Sequence, residues 1–455
     1  MYPPKSFDIG WPDLAYGMAA CGRDGDAERW AATVERRFGD GGTGGSAGTG
    51  GSLGTDGNGG TDGNGGTDGN GGTDGNGGTG GDGGTGGSAH VAGGAHRCLA
   101  ALSVRSALDL TLSAAALPRG SEVLMSAVTI PDMWRIVTEH GLVPVPVDLD
   151  AGTLLPAPGR WEAAATPRTK AVVVAHLLGT QAPLGPLTEL AARRGWLLVE
   201  DCAQAYSGPD FRGSPGADVS LFSFGPIKTA TALGGAVAVV RDARLLAAMR
   251  ALHREWPVQQ QDAQARRVAK YALLALLTAR PVYGGAVAAA GALGRDHASG
   301  LQDTVGAFAG TDLIPAIRHR PSAALLALLD RRLRAPGTAR AVARRAATAR
   351  RLVARLPDPT LVYGAGAPVH TYWLCAVPAP DPAATTARLR SAGFDAARPT
   401  SLGAVPAPPG HPQGARTAAH LVRHAVCLPL RPGMPERALD RMAAAWAGEG
   451  RGTGP

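Results

Sequence analysis

Lysine is scarce in this chain of 455 residues. Only four of its 45 basic residues are lysine, at positions 5, 170, 228 and 270, and the others are arginine. A guanidinium group carries charge as an amine does, but it stays protonated and cannot serve as a nucleophile. Arginine therefore suffices where charge alone is needed, and each remaining lysine is a candidate for amine chemistry.

Cysteine is also rare. The chain has five cysteines, widely scattered, with no C-x-x-C pair and no Cys/His cluster of zinc-binding spacing. This pattern excludes a disulfide scaffold and a zinc module, so we predict no metal site. The N-terminal stretch lacks the basic start, apolar core and cleavage site of a signal peptide, and we expect a cytoplasmic protein.

Long apolar runs and aromatic-rich basic patches are missing as well. The most apolar stretch, residues 271–294, is broken by Arg280 and Pro281, whereas a membrane-spanning helix needs about 20 uninterrupted apolar residues. The densest basic run, residues 331–351, spaces its arginines among alanines without aromatic residues, which favours a solvated helix face. We predict no stable membrane insertion and no nucleic-acid partner, although a basic surface attracts acidic metabolites.

One segment lacks almost everything that a folded core needs. Residues 39–94 consist nearly entirely of Gly, Thr, Asp, Asn and Ser, and the hexapeptide TDGNGG occurs four times between residues 55 and 78. Such a tract has high backbone entropy and nothing to bury, so it is predicted to be a disordered insertion. Its period of six and its lack of large apolar residues disfavour a calcium-binding β-roll.

The rest of the chain alternates between apolar strands and amphipathic helices. Near-continuous apolar strands separated by helices are typical of an α/β fold with a large, mostly parallel sheet covered by helices. The last part predicts a smaller C-terminal α+β domain. The predicted organisation is an N-terminal helical segment (1–38), the disordered insertion (39–94), a large domain (95–255), an irregular or helical insertion (256–320) and the small C-terminal domain (321–455).

Lys228 stands in a Gly/Thr-rich loop between two apolar strands, and Asp201 stands upstream at the end of another. A buried carboxylate is costly unless it is paired. The ε-amine of lysine condenses with aldehydes, and the protonated ring nitrogen of pyridoxal phosphate would pair with the carboxylate. Asp201 alone would equally fit a helix cap or a metal ligand, so the combination with Lys228 carries the prediction.

The residues around this pair resemble a known family. The sequence reads EDCAQA over residues 200–205 and FSFGPIK over residues 222–228, and the loop closes with Gly-Gly-Ala at 234–236. These segments are similar to the DegT/DnrJ/StrS-type sugar aminotransferases, which are pyridoxal-phosphate enzymes of fold type I. The resemblance implies a fold type I aminotransferase-like architecture and a transaminase activity.

The resemblance also implies roles for single residues. Lys228 and Asp201 would be catalytic: Lys228 would bind the cofactor covalently and move a proton, and Asp201 would pair with the ring nitrogen. Gln204 would contact the ring or its hydroxyl group. Ser223 would hold the cofactor phosphate.

Several positions depart from the family pattern. The chain reads Ser103-Val104-Arg105-Ser106 where the family has a Ser-Gly-Thr loop, and Thr129 lacks the usual aromatic neighbour. Arg318 replaces an asparagine that reaches the neighbouring subunit's site. We expect Ser103, Arg105, Ser106 and Arg318 to contact the phosphate and Thr129 to lie at the cofactor site.

The role of one histidine stays open, and two aromatic residues are assigned to packing. His176 matches a family histidine that follows a strand, and it fits a structural hydrogen bond as well as a direct role. Tyr372 and Trp373 are predicted to pack the small domain.

The predicted function is transfer of an amino group from glutamate or glutamine to a keto sugar or a keto cyclitol. A nucleotide-linked sugar is expected, within polysaccharide or secondary-metabolite biosynthesis. The family resemblance implies a homodimer with shared active sites. Two alternatives stay open: a non-aminating pyridoxal-phosphate sugar enzyme, and a catalytically silent sensor or scaffold of the same family.

Overall fold

The structure is a computed structural model that describes residues 8–23, 25–40, 97–277, 312–411 and 415–448. Its centre is a seven-stranded sheet with the order β1-β9-β8-β7-β5-β2-β4. The strands are β1 (Cys98–Ala101), β2 (Glu122–Ser126), β4 (Val143–Val147), β5 (Thr169–Ala175), β7 (Leu197–Asp201), β8 (Val219–Ser223) and β9 (Ala236–Val240). Only β9 runs against the others, because it is antiparallel to both β8 and β1. The predicted α/β class with a mostly parallel sheet is confirmed.

Helices cover this sheet, and the strands are buried along nearly their whole length, which explains their continuous apolar sequences. α3 packs against α4, α7 and the strands β8 and β9. The helices that precede and follow these strands are α1 (Trp11–Cys21), α2 (Ala27–Asp40), α3 (Val104–Ala115), α4 (Pro131–Glu139), α5 (Pro158–Ala164), α6 (Gly185–Arg194), α7 (Ala243–Arg254), α8 (Gln261–Leu277) and α9 (Leu313–Ile317).

The C-terminal residues build a second, smaller core. β11 (Cys375–Pro378) pairs antiparallel with β13 (Ala425–Leu428), and helices pack on this pair. The helices of this region are α11 (Thr338–Val353), α12 (Pro382–Ser391), α13 (Arg416–His424) and α14 (Glu436–Ala447). A strand pair with flanking helices is the small α+β unit that the sequence predicts.

Two short strand pairs connect the C-terminal region to the loops at the large sheet. β10 (Val369–His370) pairs with β6 (Thr180–Gln181), and β12 (Gly403–Ala404) pairs with β3 (Val128–Thr129). β6 and β3 lie just beyond the carboxyl ends of β5 and β2. The C-terminal region is therefore hydrogen-bonded at the edge where parallel sheets hold their ligands.

Helix α10 (Ala323–Arg334) packs with the large sheet although the predicted small domain begins at residue 321. Leu325 and Leu329 share a buried cluster with Phe38 of α2 and Phe222 of β8. The buried carboxylate of Asp330 pairs with arginines of α2 and α10. The predicted domain boundaries stay a prediction, but this helix is a structural part of the large core.

Two predictions concern residues outside the described ranges. The Gly-rich insertion (39–94) falls there except for its first two residues, as does most of the apolar stretch at 271–294. In the described ranges, no helix combines the length and the apolar character that a membrane crossing requires.

Candidate active site

The register of the sheet brings the predicted residues to one edge. Asp201 ends β7 and Ser223 ends β8, while Ser103 follows β1 at the start of α3. Ala236 of β9 pairs with Ser223 on one side and with Ala101 on the other. The ends of β1, β7 and β8 point the same way, so the three predicted side chains start from one edge.

Asp201 is a buried carboxylate with little protein support. Its Oδ1 accepts a hydrogen bond of 2.9 Å from the Ala203 amide, and its carboxylate forms no other within the described residues. Burial raises the pKa of Asp201, and the Ala203 bond and the charge of Lys228 offset that rise only in part. A cationic partner at this carboxylate would offset the free-energy cost of burying its charge.

Gln204 connects the Asp201 segment to the loop after β5. Its Oε1 accepts a hydrogen bond of 2.8 Å from the Leu178 amide. Leu178 has a positive φ of 56°, which is unusual for a residue with a side chain. Gln204 therefore stabilises this loop, and its predicted contact with the cofactor ring stays a prediction.

The loop that carries Lys228 is held by its own backbone. The Lys228 amide donates to the Gly225 carbonyl at 3.0 Å, and the Thr231 hydroxyl donates to the same carbonyl at 2.6 Å. Among the residues that the structure describes, the Ser223 hydroxyl makes a single long bond of 3.4 Å, which it accepts from the Gly225 amide. The loop thus presents a half-buried lysine and a serine with spare hydrogen-bonding capacity.

The hydroxyl groups at the start of α3 are already engaged within the fold. Ser103 caps the helix by accepting from the Ser106 amide at 3.2 Å, and the two hydroxyls lie 2.9 Å apart. Ser106 also donates to the Ile317 carbonyl at 2.7 Å. These bonds position the helix start beside α9, and the predicted phosphate contacts stay predictions.

The two arginines predicted at the phosphate are paired with carboxylates. Arg105 forms an ion pair with Asp132 at 2.5 Å. Arg318 forms two hydrogen bonds of 2.8 and 2.9 Å with Asp109, which also bonds to His140. Burial alone would raise the pKa of Asp109, but His140 and Arg318 hold it below its ordinary value.

Thr129 is buried in β3, where its backbone pairs with Gly403 of the C-terminal region. Its neighbour Ile130 packs against the large core and the cluster around Leu178. The structure thus places Thr129 at the junction of the two regions, and a cofactor contact by Thr129 stays a prediction.

His176 and Glu200 form a buried pair behind the carboxylate of Asp201. His176 Nε2 lies 2.8 Å from Glu200 Oε1, while Glu200 Oε2 accepts bonds from the Ser220 hydroxyl and the Ser214 amide. Burial alone would raise the pKa of Glu200, but these bonds hold it below its ordinary value. The structure contains the hydrogen bond of His176 to Glu200, and a direct role of His176 stays a prediction.

Cys202 lies close enough to His176 and Glu200 for the three to form a metal-sized cluster, within 4.8 Å. Burial raises the pKa of the Cys202 thiol well above its ordinary value in the absence of a metal ion. The absence of a metal site from this protein stays a prediction.

Trp373 is the residue that sequence reasoning assigned to packing alone and that the structure places at the site. Lys228 Nζ lies 4.2 Å from the centre of its ring, and its indole N–H donates to the Ile227 carbonyl at 2.8 Å. Trp373 follows Lys228 by 145 residues, so no local pattern predicts this contact.

The residues present fit the cofactor that the sequence implies. A buried carboxylate with a raised pKa suits the protonated ring nitrogen, and the amine of Lys228 is near enough to influence that carboxylate. Ser223 has spare hydrogen-bonding capacity at the same edge.

Comparison with known proteins gives a family match over part of the chain. Residues 89–271 match the DegT/DnrJ/EryC1/StrS aminotransferase family. The resemblance inferred from the motifs is thereby confirmed, and the matched segment contains Asp201, Ser223 and Lys228.

The curated relatives likewise match only part of the chain. The chain is 40% identical over 149 residues to an L-glutamine:2-deoxy-scyllo-inosose aminotransferase of Streptomyces kanamyceticus, a match covering 32% of this chain and 34% of that protein. It is 40% identical over 146 residues to the erythromycin biosynthesis sensory transduction protein EryC1 of Saccharopolyspora erythraea, covering 31% and 40%. The matches thus span well under half the length of these relatives.

The fold likeness extends further than the sequence likeness. The sugar aminotransferase CalS13 of Micromonospora echinospora aligns with a TM-score of 0.59 at 18% identity, covering 98% of this chain and all of that one. Identity this low supports the fold alone. The predicted fold type I aminotransferase-like architecture is confirmed.

Proposed function

We propose that this protein is a pyridoxal-phosphate-dependent aminotransferase that moves an amino group from glutamine or glutamate to a keto cyclitol or a keto sugar. The observation that supports it most is the presence at one sheet edge of a buried and poorly supported carboxylate, Asp201, and an amine, Lys228, near enough to lower the pKa of that carboxylate by its charge. The named activity of the Streptomyces kanamyceticus relative supports glutamine as donor and a cyclitol as acceptor.

When bound, pyridoxal phosphate supplies an aldehyde and a ring that withdraws electrons from the reacting carbon. Lys228 contributes the nucleophilic amine and carries a proton at Nζ. Asp201 would accept the ring N–H and keep that nitrogen protonated, because the groups around Asp201 offset the cost of burying its charge only in part. Ser223 and the backbone N–H groups that begin α3 would hold the phosphate.

His176 and Glu200 contribute indirectly in this proposal. Glu200 precedes Asp201 on β7, and its hydrogen bonds with His176, Ser220 and Ser214 tie β7 to its neighbours. The network therefore orients the strand end that carries Asp201. The Gln204 bond to Leu178 does the same for the loop after β5.

The absorption spectrum of the full chain mixed with pyridoxal phosphate tests the proposal. We expect a visible band that bleaches on addition of glutamine or glutamate, and that is missing from Lys228→Ala. Lys170→Ala, which alters an exposed lysine on β5, is the matched control and keeps the band. A wild-type protein that takes up no pyridoxal phosphate refutes the proposal.

A catalytically silent sensor or scaffold is the second candidate. Two observations favour it: the hydroxyls of Ser103 and Ser106 and the guanidinium of Arg105 at the start of α3 are engaged within the fold, and one relative carries a sensory name. In that case the visible band forms with wild type but does not bleach with any amino donor. A non-aminating pyridoxal-phosphate enzyme would likewise form the band but accumulate no pyridoxamine phosphate when glutamate is supplied.

A further inference from the structure

Trp373 touches the lysine loop twice. The face of its indole ring lies 4.2 Å from Lys228 Nζ, and its N–H bonds to the carbonyl of Ile227, the preceding residue. One contact concerns the amine and the other concerns the backbone that carries it. The Trp373 side chain thus contacts both the Lys228 amine and the backbone just before Lys228.

The segment that delivers Trp373 is clamped to the loop after β5. The amide and the hydroxyl of Thr371 donate to the Gly179 carbonyl at 2.7 and 2.9 Å, and the Leu374 amide donates to the Leu178 carbonyl at 3.1 Å. Trp373 lies between these two anchors. Its position is therefore set by backbone bonds on both sides.

The close approach at this clamp requires glycine. Gly179 has a φ of +100°, and a Cβ there would lie 2.4 Å from the Thr371 hydroxyl and 2.6 Å from the Trp373 amide. Tyr372 itself has a φ of +49°, in the left-handed region. The backbone next to Trp373 is therefore strained, and strained backbone is common at functional sites.

An ammonium group above an aromatic face is attracted by the negative charge of the ring, and tryptophan provides the strongest attraction. Trp373 and Lys228 are both half-buried, so water weakens the attraction less than at a fully exposed site. The attraction acts on the charged amine and not on the neutral one. It therefore both locates Nζ and favours its protonated form.

We propose that Trp373 is the positioning residue of the Lys228 amine, with its ring holding Nζ and its N–H anchoring the lysine loop. This role rests on the proposed function and deepens it. The residue acts across the junction between the sheet and the C-terminal region. The contacts at that junction therefore place the amine.

The reactivity of Lys228 in the full chain freed of cofactor tests this role. A trace of an acylating reagent labels neutral amines, and mass spectrometry then gives the ratio of label on Lys228 to label on the exposed Lys170 of the same molecule. Trp373→Leu removes the ring and the N–H. We expect it to raise this ratio about three- to tenfold at neutral pH.

The pH profile separates a charge effect from mere shielding. If the ring stabilises the ammonium, the wild-type and Trp373→Leu profiles differ by about 0.5 to 1 pH unit and converge at alkaline pH, where the amines are neutral. Shielding alone would lower labelling of the wild type by the same factor at every pH. That uniform factor would overturn the proposal.

Conservative variants provide the rescue and the control. Trp373→Phe keeps an aromatic face and is expected to stay within about twofold of the wild-type ratio. Trp446→Phe alters a half-buried tryptophan of the C-terminal core and leaves the ratio unchanged. If Trp373→Leu does not fold, Trp373→Met replaces it, since it keeps more of the side-chain volume.

An unchanged ratio in the folded Leu or Met variant overturns the role of Trp373, as does an equal rise in the Phe variant. Labelling needs no cofactor, so its result is independent of whether the chain takes up pyridoxal phosphate. The failure of this inference is therefore distinguishable from the failure of the proposed function.

Discussion

The residues at the site fall into two groups that differ in how far the fold already uses them. The motif group, Asp201, Ser223 and Lys228, comes from the family motifs. Asp201 and Ser223 each make a single side-chain hydrogen bond within the described residues. The helix-start group, Ser103, Arg105, Ser106 and Arg318, is tied into helix caps and ion pairs.

This difference is the one expected between residues that bind a ligand and residues that build the fold. A buried carboxylate with one hydrogen bond costs stability, so its presence indicates a partner from outside the chain. An ion pair such as Arg318 with Asp109 satisfies itself, and it needs no ligand to explain it. Losing a motif-group residue should therefore affect binding, whereas losing a helix-start residue should affect folding.

The largest effect is expected from Asp201→Asn. It removes the charge that pairs with the ring nitrogen, and breaking a buried ion pair costs about 3 kcal/mol or more. We expect cofactor affinity, measured by spectral titration, to fall about a hundredfold or more. The raised pKa of Asp201 means that stability decreases as pH rises through it, so the cofactor-free variant should melt no lower than wild type at pH 8.

Asp148→Ala is the contrasting control for that experiment. Asp148 accepts hydrogen bonds from the Thr417 and Ala418 amides at the start of α13, so its loss costs about 1 kcal/mol of stability. Cofactor affinity should stay unchanged. An Asp201→Asn protein that loses stability but keeps affinity would contradict the assignment of the motif group.

Acid should weaken the Trp373 segment before it weakens the helix-start group. Burial lowers the pKa of His370 to about 4. Its Nδ1 accepts from the Tyr372 amide and its Nε2 donates to the Tyr363 carbonyl, an arrangement that requires the neutral ring. The unfolded chain takes up this proton near pH 6.5, so stability is lost as pH falls from about 6.5 to 4.

Protonation of His370 lowers the free energy of unfolding by at most about 3 kcal/mol. Urea unfolding of the cofactor-free chain at several pH values measures it, and His370→Asn should flatten part of the slope. Burial also lowers the pKa of His253 to about 4, so His253 accounts for the pH dependence of stability that remains in this variant. Asp109 has a lowered pKa, so its contribution to stability is lost only at pH values below the ordinary aspartate pKa. If the unfolding free energy of His370→Asn depends on pH as steeply as that of the wild type, acid does not weaken the Trp373 segment first.

The smallest effects come from a matched pair of serines. Ser223→Ala removes a proposed phosphate contact and should weaken cofactor affinity about tenfold, with little change in unfolding free energy. Ser106→Ala loses its bonds to Ser103 and the Ile317 carbonyl, so it should cost about 1 to 2 kcal/mol of stability. Its affinity should stay within about threefold.

The serine pair discriminates between the two groups directly. If Ser106→Ala costs as much affinity as Ser223→Ala, the start of α3 holds the phosphate through its hydroxyls, as the family resemblance implies. If neither variant affects affinity, Ser223 does not hold the phosphate.

The sequence by itself determined the α/β class, the motif group and the family. Their signals are local: apolar strands of four to seven residues, an aspartate at a strand end, and a lysine in an otherwise arginine-rich chain. Chemistry restricted those positions, because guanidinium cannot replace the amine.

Only the tertiary structure decided which other side chains meet the motif. Trp373 reaches Lys228 through backbone pairing of segments nearly 200 residues apart, and Asp109 meets Arg318 across 209 residues. Helix α10 likewise joins the sheet core through contacts with α1 and α2. Such contacts depend on how amphipathic elements pack, and many partners satisfy the same apolar face, so neither spacing nor composition specifies them.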